Sequence, residues 1–181
     1  MFVRTQRLTL RPRWPEDAAA ITHAVAHESV VMTCAHLPWP YAQADAEAWI
    51  AMPRPKIDAT CLLLEHCGER PRLIGAIGIE RREGVHELGY WLTPDAWGRG
   101  YATEAGRAMI GIARHALGLK RLDAGYHQGN AASGNVLRKL GFRETGNATR
   151  HCRALGRDVP SVELTCDLDA EDRPAEMCLA A

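Results

Sequence analysis

The sequence contains no stretch of about 18 consecutive apolar residues, and its start, Met1-Phe2-Val3-Arg4-Thr5-Gln6-Arg7, lacks the roughly 7 to 15 apolar residues of a secretory signal. A cytoplasmic protein with no membrane partner is expected. Net charge is missing too: 22 basic residues balance 22 acidic ones, so no global field draws the chain to nucleic acid or anionic lipid, although eight histidines add positive charge in acid. None of the six cysteines, Cys34, Cys61, Cys67, Cys152, Cys166 and Cys178, forms a Cys-x-x-Cys pair, and in a reducing compartment they remain thiols that fill core or surface positions. The dipeptides His66-Cys67 and His151-Cys152 do not make a metal site, because adjacent side chains rarely converge on one ion and no second pair stands at finger-like spacing. No metal is expected. Three catalytic strings are absent as well. There is no Gly-Lys-Ser/Thr of a Walker loop, no complete Gly-x-Gly-x-x-Gly fingerprint because residue 103 is Thr, and no Gly-x-Ser-x-Gly elbow. No cysteine sits at an electropositive helix start, so a covalent acyl-enzyme is not expected.

What is present suits one domain: 181 residues with 46% hydrophobic content can bury a sizeable core. The domain is expected over residues 1–170, with 171–181 as a frayed tail. Arg7 to Pro12 alternates charged and apolar residues, the period of a half-buried strand that Pro12 ends. Pro15-Glu16-Asp17 opens a helix to about Ala26, with its acids in the first turn, and a second helix is predicted over Ala42 to Ala51. Cys34 to Tyr41, rich in proline and aromatics, reads as a loop beside a groove. Short apolar runs follow, Thr60 to Glu65, Leu73 to Glu80 and Val85 to Leu92, separated by Cys67-Gly68-Glu69-Arg70-Pro71 and Glu83-Gly84. They predict an antiparallel meander.

A helix is predicted from about Thr103 to Leu117, with Ala102, Ala105, Met109, Ile112, Ala113 and Ala116 on its apolar face and Gly118 at its stop. Arg121 to His127 reads as a strand, and Asn130 caps a short helix bearing Val136, Leu137 and Leu140. Two strands, about Phe142 to Ala154 and Val159 to Leu168, complete the chain.

The turn Trp97-Gly98-Arg99-Gly100-Tyr101-Ala102 lies between a strand and a helix. Free backbone N–H groups gather there at a positive helix end, an anion site in which glycine permits close approach and φ > 0. Taken alone, the turn reads equally well as a phosphate cradle or as a structural turn.

The order meander, Trp97-Gly98-Arg99-Gly100-Tyr101-Ala102-Thr103-Glu104-Ala105, strand, Asn130-Ala131-Ala132-Ser133 and Lys139-Leu140-Gly141-Phe142 resembles the GNAT N-acetyltransferase superfamily, most closely its ribosomal-protein (RimJ/RimL-like) branch. The likeness runs from Arg7 to Leu164. It implies an α/β fold with a mixed, largely antiparallel central sheet of about six to seven strands flanked by helices. The superfamily turn is usually written Gln/Arg-x-x-Gly-x-Gly/Ala. Here Trp97 occupies the first place, Gly100 the fourth and Ala102 the sixth, as in the Trp-Gly-x-Gly-Tyr-Ala form of this branch.

The resemblance further implies acetyl-CoA as cosubstrate, with its pyrophosphate on the backbone of Gly98 to Thr103. Arg99 adds a charge-assisted contact or is solvated. The strand ending Gly89-Tyr90-Trp91-Leu92 is expected to splay from Arg121–His127, with the pantetheine arm in the opening and N–H groups near Trp91 or Leu92 polarising the thioester carbonyl. The implied reaction is direct attack of a primary amine through a tetrahedral intermediate, the amine belonging to a protein N-terminus or a small molecule.

Glu87 stands where many relatives carry a glutamate and is the candidate base, or else a solvated or ion-paired strand residue. Leu137 occupies the place of the superfamily's usual tyrosine acid, and Ser133 is the branch's usual substitute, or else a helix-start serine. Asn130 is an N-cap and a partner for a pantetheine amide, and Arg138 is a candidate phosphate contact. Trp14, Trp39, Tyr41 and Trp49 line an acceptor pocket or fill core. Homodimerisation through the C-terminal strands is a family-level expectation, and a non-catalytic acetyl-CoA sensor is the rival reading.

Overall fold

Leu8 and Leu10 are fully buried while Thr9 and Arg11 between them are half-exposed. This alternation makes Leu8–Arg11 a strand with one face in the core. The computed structural model describes residues 2–53, 55, 59–66, 70–82 and 84–169. Residues 67–69 of the turn predicted over Cys67 to Pro71, Glu83, Cys178 and the expected frayed tail lie outside the described residues.

The strands are β1 (Val3–Arg4), β2 (Leu8–Arg11), β3 (Ala59–Glu65), β4 (Arg72–Arg82), β5 (Val85–Leu92), β6 (Arg121–His127), β7 (Arg143–Cys152) and β8 (Arg157–Asp167). They form a single sheet in the order β1-β2-β3-β4-β5-β6-β8-β7. Seven of them answer to sequence patterns. The eighth, β1, has two residues, too few to show a period. Every pairing is antiparallel except β5 with β6, which run parallel and meet at one register position, Glu87 opposite Asp123.

The helices are α1 (Ala18–Val25), α2 (Glu28–Val31), α3 (Gln43–Ala51), α4 (Tyr101–His115) and α5 (Ala131–Lys139). The first begins later than the sequence suggests. Asp17 accepts from the Trp14 backbone N–H at 2.7 Å and from both terminal nitrogens of Arg11 at 2.7 Å, so Pro15–Asp17 tightens into a 3₁₀ turn. Helix α4 starts two residues before its predicted position, because Gly100 at φ +80° turns the chain directly into it. The four-residue α2 was not visible in the sequence.

Two cores flank the sheet. Helices α4 and α5 bury Ala105, Met109, Ile112, Leu137 and Leu140 against Leu88, Leu92, Leu122, Ala124 and Leu164. On the opposite face Ile21, Val25, Tyr41 and Ala46 pack over Leu62 and Ala76, with Trp49 and Trp91 at the margin. The β4–β5 contact is close enough that a Cβ at Gly75 would overlap the Trp91 carbonyl oxygen. Gly75→Ala is therefore expected to cost about 1–3 kcal/mol. In thermal unfolding this appears as a Tm lowered by about 2–4 °C per kcal/mol, and an unchanged Tm would show that the two strands are free to separate.

Candidate functional site

Beyond Glu87 the strand β5 pairs only with β4, while β6 pairs with β8. The two central strands therefore diverge, and a cleft of about 1220 Å³ opens at the split. Along β5, Thr93 N donates to Ile74 O at 2.8 Å and the register runs unbroken from Gly75↔Leu92 to Arg82↔Val85. Antiparallel ladders alternate, so the Trp91 N–H is directed at β4 and the Tyr90 and Leu92 N–H groups face the opening. Of the two donors considered from sequence, Leu92 has the backbone orientation for that role. Trp91 instead contributes its side chain to the α1/α3 side.

At one end of the cleft lies the glycine turn. Gly98 and Gly100 have φ of +71° and +80°, and nothing occupies the space where a Cβ of Gly98 would stand. The Trp97 indole donates to Leu92 O at 2.9 Å, tying the turn to the end of β5. The N–H groups of Tyr101, Ala102 and Thr103 belong to the first turn of α4 and have no helical carbonyl behind them. Trp97, Gly98, Gly100, Tyr101, Ala102 and Thr103 all line the cleft.

Arg99 does not line it. Its guanidinium lies 4.9 Å over the Tyr101 ring and pairs with Glu65 at 3.1 Å, a third outcome besides phosphate contact and free solvation. Arg7 lies over the same ring at 4.5 Å, donates to Arg99 O at 2.9 Å and pairs with Glu104 at 2.7 Å. Tyr101 donates its hydroxyl to the buried Glu65. That bond, with Arg72 and Arg99, holds the Glu65 carboxyl below its ordinary range against the opposing effect of burial. These groups brace the turn from outside the cleft, and nothing local in the sequence around Arg7 or Glu65 marks them for it.

Along the helix-side wall, Asn130 caps α5 by accepting from Ser133 N at 3.1 Å. Ser133 Oγ lies 2.9 Å from the Tyr90 hydroxyl, which is also 3.3 Å from the Ser133 carbonyl. Burial pushes the Tyr90 phenol up to about 12, with the Ser133 hydrogen bond opposing it. Leu137 is buried and offers no polar group. A phenol is thus present beside Ser133, but it comes from β5 rather than from α5. Sequence reasoning missed it, because strand alternation says which face Tyr90 occupies and not which helix residue meets it. Arg138 is not brought to the cleft: it donates to Asn135 at 2.9 Å, Tyr126 at 3.3 Å and Glu144 at 2.8 Å, while its neighbour Lys139 lines the cleft instead.

On the opposite side of β5, Glu87 pairs with Arg150 at 2.5 Å, and Arg150 reaches Glu163 at 2.5 Å. The chain of charges crosses four strands, β5, β6, β8 and β7. Gly125 on β6 makes the crossing possible, since a Cβ there would stand 2.7 Å from the Arg150 guanidinium. Glu163 and then Glu87 hold Arg150 firmly charged although burial works against it. Tyr41 and Trp49 line this half of the cleft, together with Leu37 and Pro38 of the loop, whereas Trp14 and Trp39 do not. Among the described residues no three His, Cys, Asp or Glu side chains gather as a metal site, and no helix is long and apolar enough to cross a membrane.

Comparison with known proteins agrees with this geometry. Residues 7–143 match the family model described as an acetyltransferase (GNAT) domain. The chain is 36% identical over 77 residues to the uncharacterized N-acetyltransferase YoaA of Bacillus subtilis, a match covering 41% of this chain and 44% of that protein. It is 33% identical over 92 residues to the uncharacterized N-acetyltransferase p20 of Bacillus licheniformis, covering 49% and 52%. The chain thus spans about half the length of the curated relatives it matches.

Among solved structures, a GNAT-family acetyltransferase from Bacillus anthracis superposes with a TM-score of 0.78 at 20% identity, covering 93% of this chain and 99% of that one. The ribosomal-protein-S5-alanine acetyltransferase of Vibrio fischeri gives 0.78 at 17% identity, covering 96% and 100%. At such identities these structures show the fold. With the family model spanning most of the sequence and the fold shared across nearly the whole chain, the protein belongs to the GNAT acetyltransferase family.

Proposed function

We propose that the protein is an acetyl-CoA-dependent N-acetyltransferase that acts on a primary amine by direct transfer, the amine belonging to a protein N-terminus or a small molecule. The observation that carries this reading is the divergence of β5 from β6 with the glycine turn at its end. It supplies an open strand edge for an extended amide-bearing arm and a nest of N–H groups for a pyrophosphate. The family model supports the cosubstrate, and the acetyltransferase MccE, similar in fold with a TM-score of 0.74 at 15% identity, was solved with acetyl-CoA and AMP. Acetyl-CoA, when bound, contributes a thioester activated toward amines.

The chain's own residues do the rest. Gly98 to Thr103 hold the pyrophosphate by backbone N–H groups, and Asn130 serves a pantetheine amide. Leu92 N–H faces the thioester oxygen, a role that needs no special side chain. Glu87 takes the proton from the incoming ammonium, and Ser133 donates its hydroxyl hydrogen toward the departing sulfur.

Tyr90 sets the direction of that donation. A phenol that stays protonated can donate to Ser133 Oγ, leaving the serine's own hydrogen free to point into the opening. Tyr90→Phe is expected to lower kcat about tenfold, the value of one buried hydrogen bond, with KM for acetyl-CoA within about twofold. In the Ser133→Ala background the same change should have no further effect. An additive double variant would separate the two residues.

Direct transfer also has a kinetic signature. Initial velocities varied against both substrates should give intersecting lines, and parallel lines would indicate a covalent enzyme intermediate.

A further inference from the structure

The half of the cleft beyond Glu87 bears on what kind of molecule carries the amine. Its apolar wall is built from Leu37, Pro38, Trp49, Met52 and Trp91. Three acidic side chains among the described residues line the cleft, and each already faces an arginine: Asp45 with Arg153 at 4.0 Å, Glu80 with Arg82 at 2.7 Å, and Glu87 with Arg150 at 2.5 Å. Asp45 is also engaged as a helix cap, accepting from Ala42 N at 3.0 Å. Arg82 and Arg153 line the same space.

A substrate with several ammonium groups needs a carboxylate for each of them. Here a second cation would meet carboxylates that each already face an arginine, and guanidinium groups of its own sign. An apolar body, in contrast, gains by leaving water for the tryptophan-lined wall.

We infer that the acceptor is a monoamine carried on an apolar or aromatic body, its amine directed at Glu87 and its body against the Trp49–Trp91 wall. This rests on the acetyl-transfer reading above. It separates this acceptor from polyamines and other polycations, and it fits a peptide N-terminus only when the first side chain is apolar and uncharged.

The test is a homologous series under saturating acetyl-CoA: butylamine, hexylamine and octylamine, with diaminooctane and spermidine as polycation probes, followed by thiol release. Among the monoamines kcat/KM should rise about fourfold per methylene until the wall is covered. Diaminooctane should fall at least about tenfold below octylamine, because its second ammonium loses the apolar contact and meets the arginines. Met52→Ala, at a half-exposed side chain whose loss spares the core, should flatten the rise with chain length. A flat series, or diaminooctane or spermidine matching octylamine, overturns the inference. Should CoA bind while no amine is acetylated, the acetyl-transfer reading fails separately. Calorimetry of octylamine against diaminooctane on the CoA complex then decides the acceptor class, tighter octylamine supporting it and tighter diaminooctane overturning it.

Discussion

Gly100→Val is expected to weaken acetyl-CoA binding by about a hundredfold or more. Gly100 sits at φ +80° as the residue that launches α4, and a β-branched residue held there costs about 1–3 kcal/mol. The chain can relieve that strain only by rotating the turn. Rotation withdraws the Tyr101, Ala102 and Thr103 N–H groups from the position where they converge. Calorimetric titration with CoA measures the effect directly. Thermal unfolding should show only the few degrees that correspond to the strain, which separates lost binding from lost folding.

Glu87→Gln is expected to lower kcat by about 10² to 10⁴, the range for removing a positioned base, while the affinity for acetyl-CoA stays within about twofold. Glutamine keeps the size of the side chain and an oxygen to accept from Arg150, so the hydrogen bond to Arg150 and the Arg150–Glu163 ion pair persist. What it loses is the ability to take a proton. The present geometry places Glu87 in an ion pair, which was the structural alternative considered from sequence, and the two roles are compatible: only Oε1 is used by Arg150, and Glu163 supplies a second carboxylate to the same guanidinium. Arg150 thus acts as a clamp that fixes where Glu87 points. Stopped-assay kinetics with a fixed amine would measure the change. A variant with unaltered kcat would reduce Glu87 to a structural ion-pair partner.

The local parts of this site were readable because local chemistry produces them. Gly98 and Gly100 announce backbone that other residues tolerate poorly, and Asn130 three residues before Ser133 announces a cap. Seven strands showed themselves through alternation or short apolar runs between turns. Parts that depend on strands far apart in sequence were not readable. Arg150 meets Glu87 across the two strands that separate them, β6 and β8, because Gly125 leaves a path over the sheet. Tyr90 meets Ser133 only because α5 begins over the place where β5 leaves β6.

Two arginines that looked like phosphate contacts from their position near the turn and on α5 turned out to have carboxylate partners, Glu65 for Arg99 and Glu144 for Arg138. A side chain this long finds partners that proximity in sequence does not show. Its reach lets it choose among every carboxylate within several ångströms, and those come from other elements.

The most direct measurement is thiol release by the purified protein given acetyl-CoA with and without a primary amine, with mass spectrometry of the amine in the same reaction. The expected result is amine-dependent release with one acetylated product per thiol, lowered about a hundredfold in Gly100→Val at acetyl-CoA concentrations well below saturation. Failure of the wild-type protein to bind CoA at all, or thiol release with no acetylated amine, would contradict the assignment of this turn and cleft to acetyl transfer.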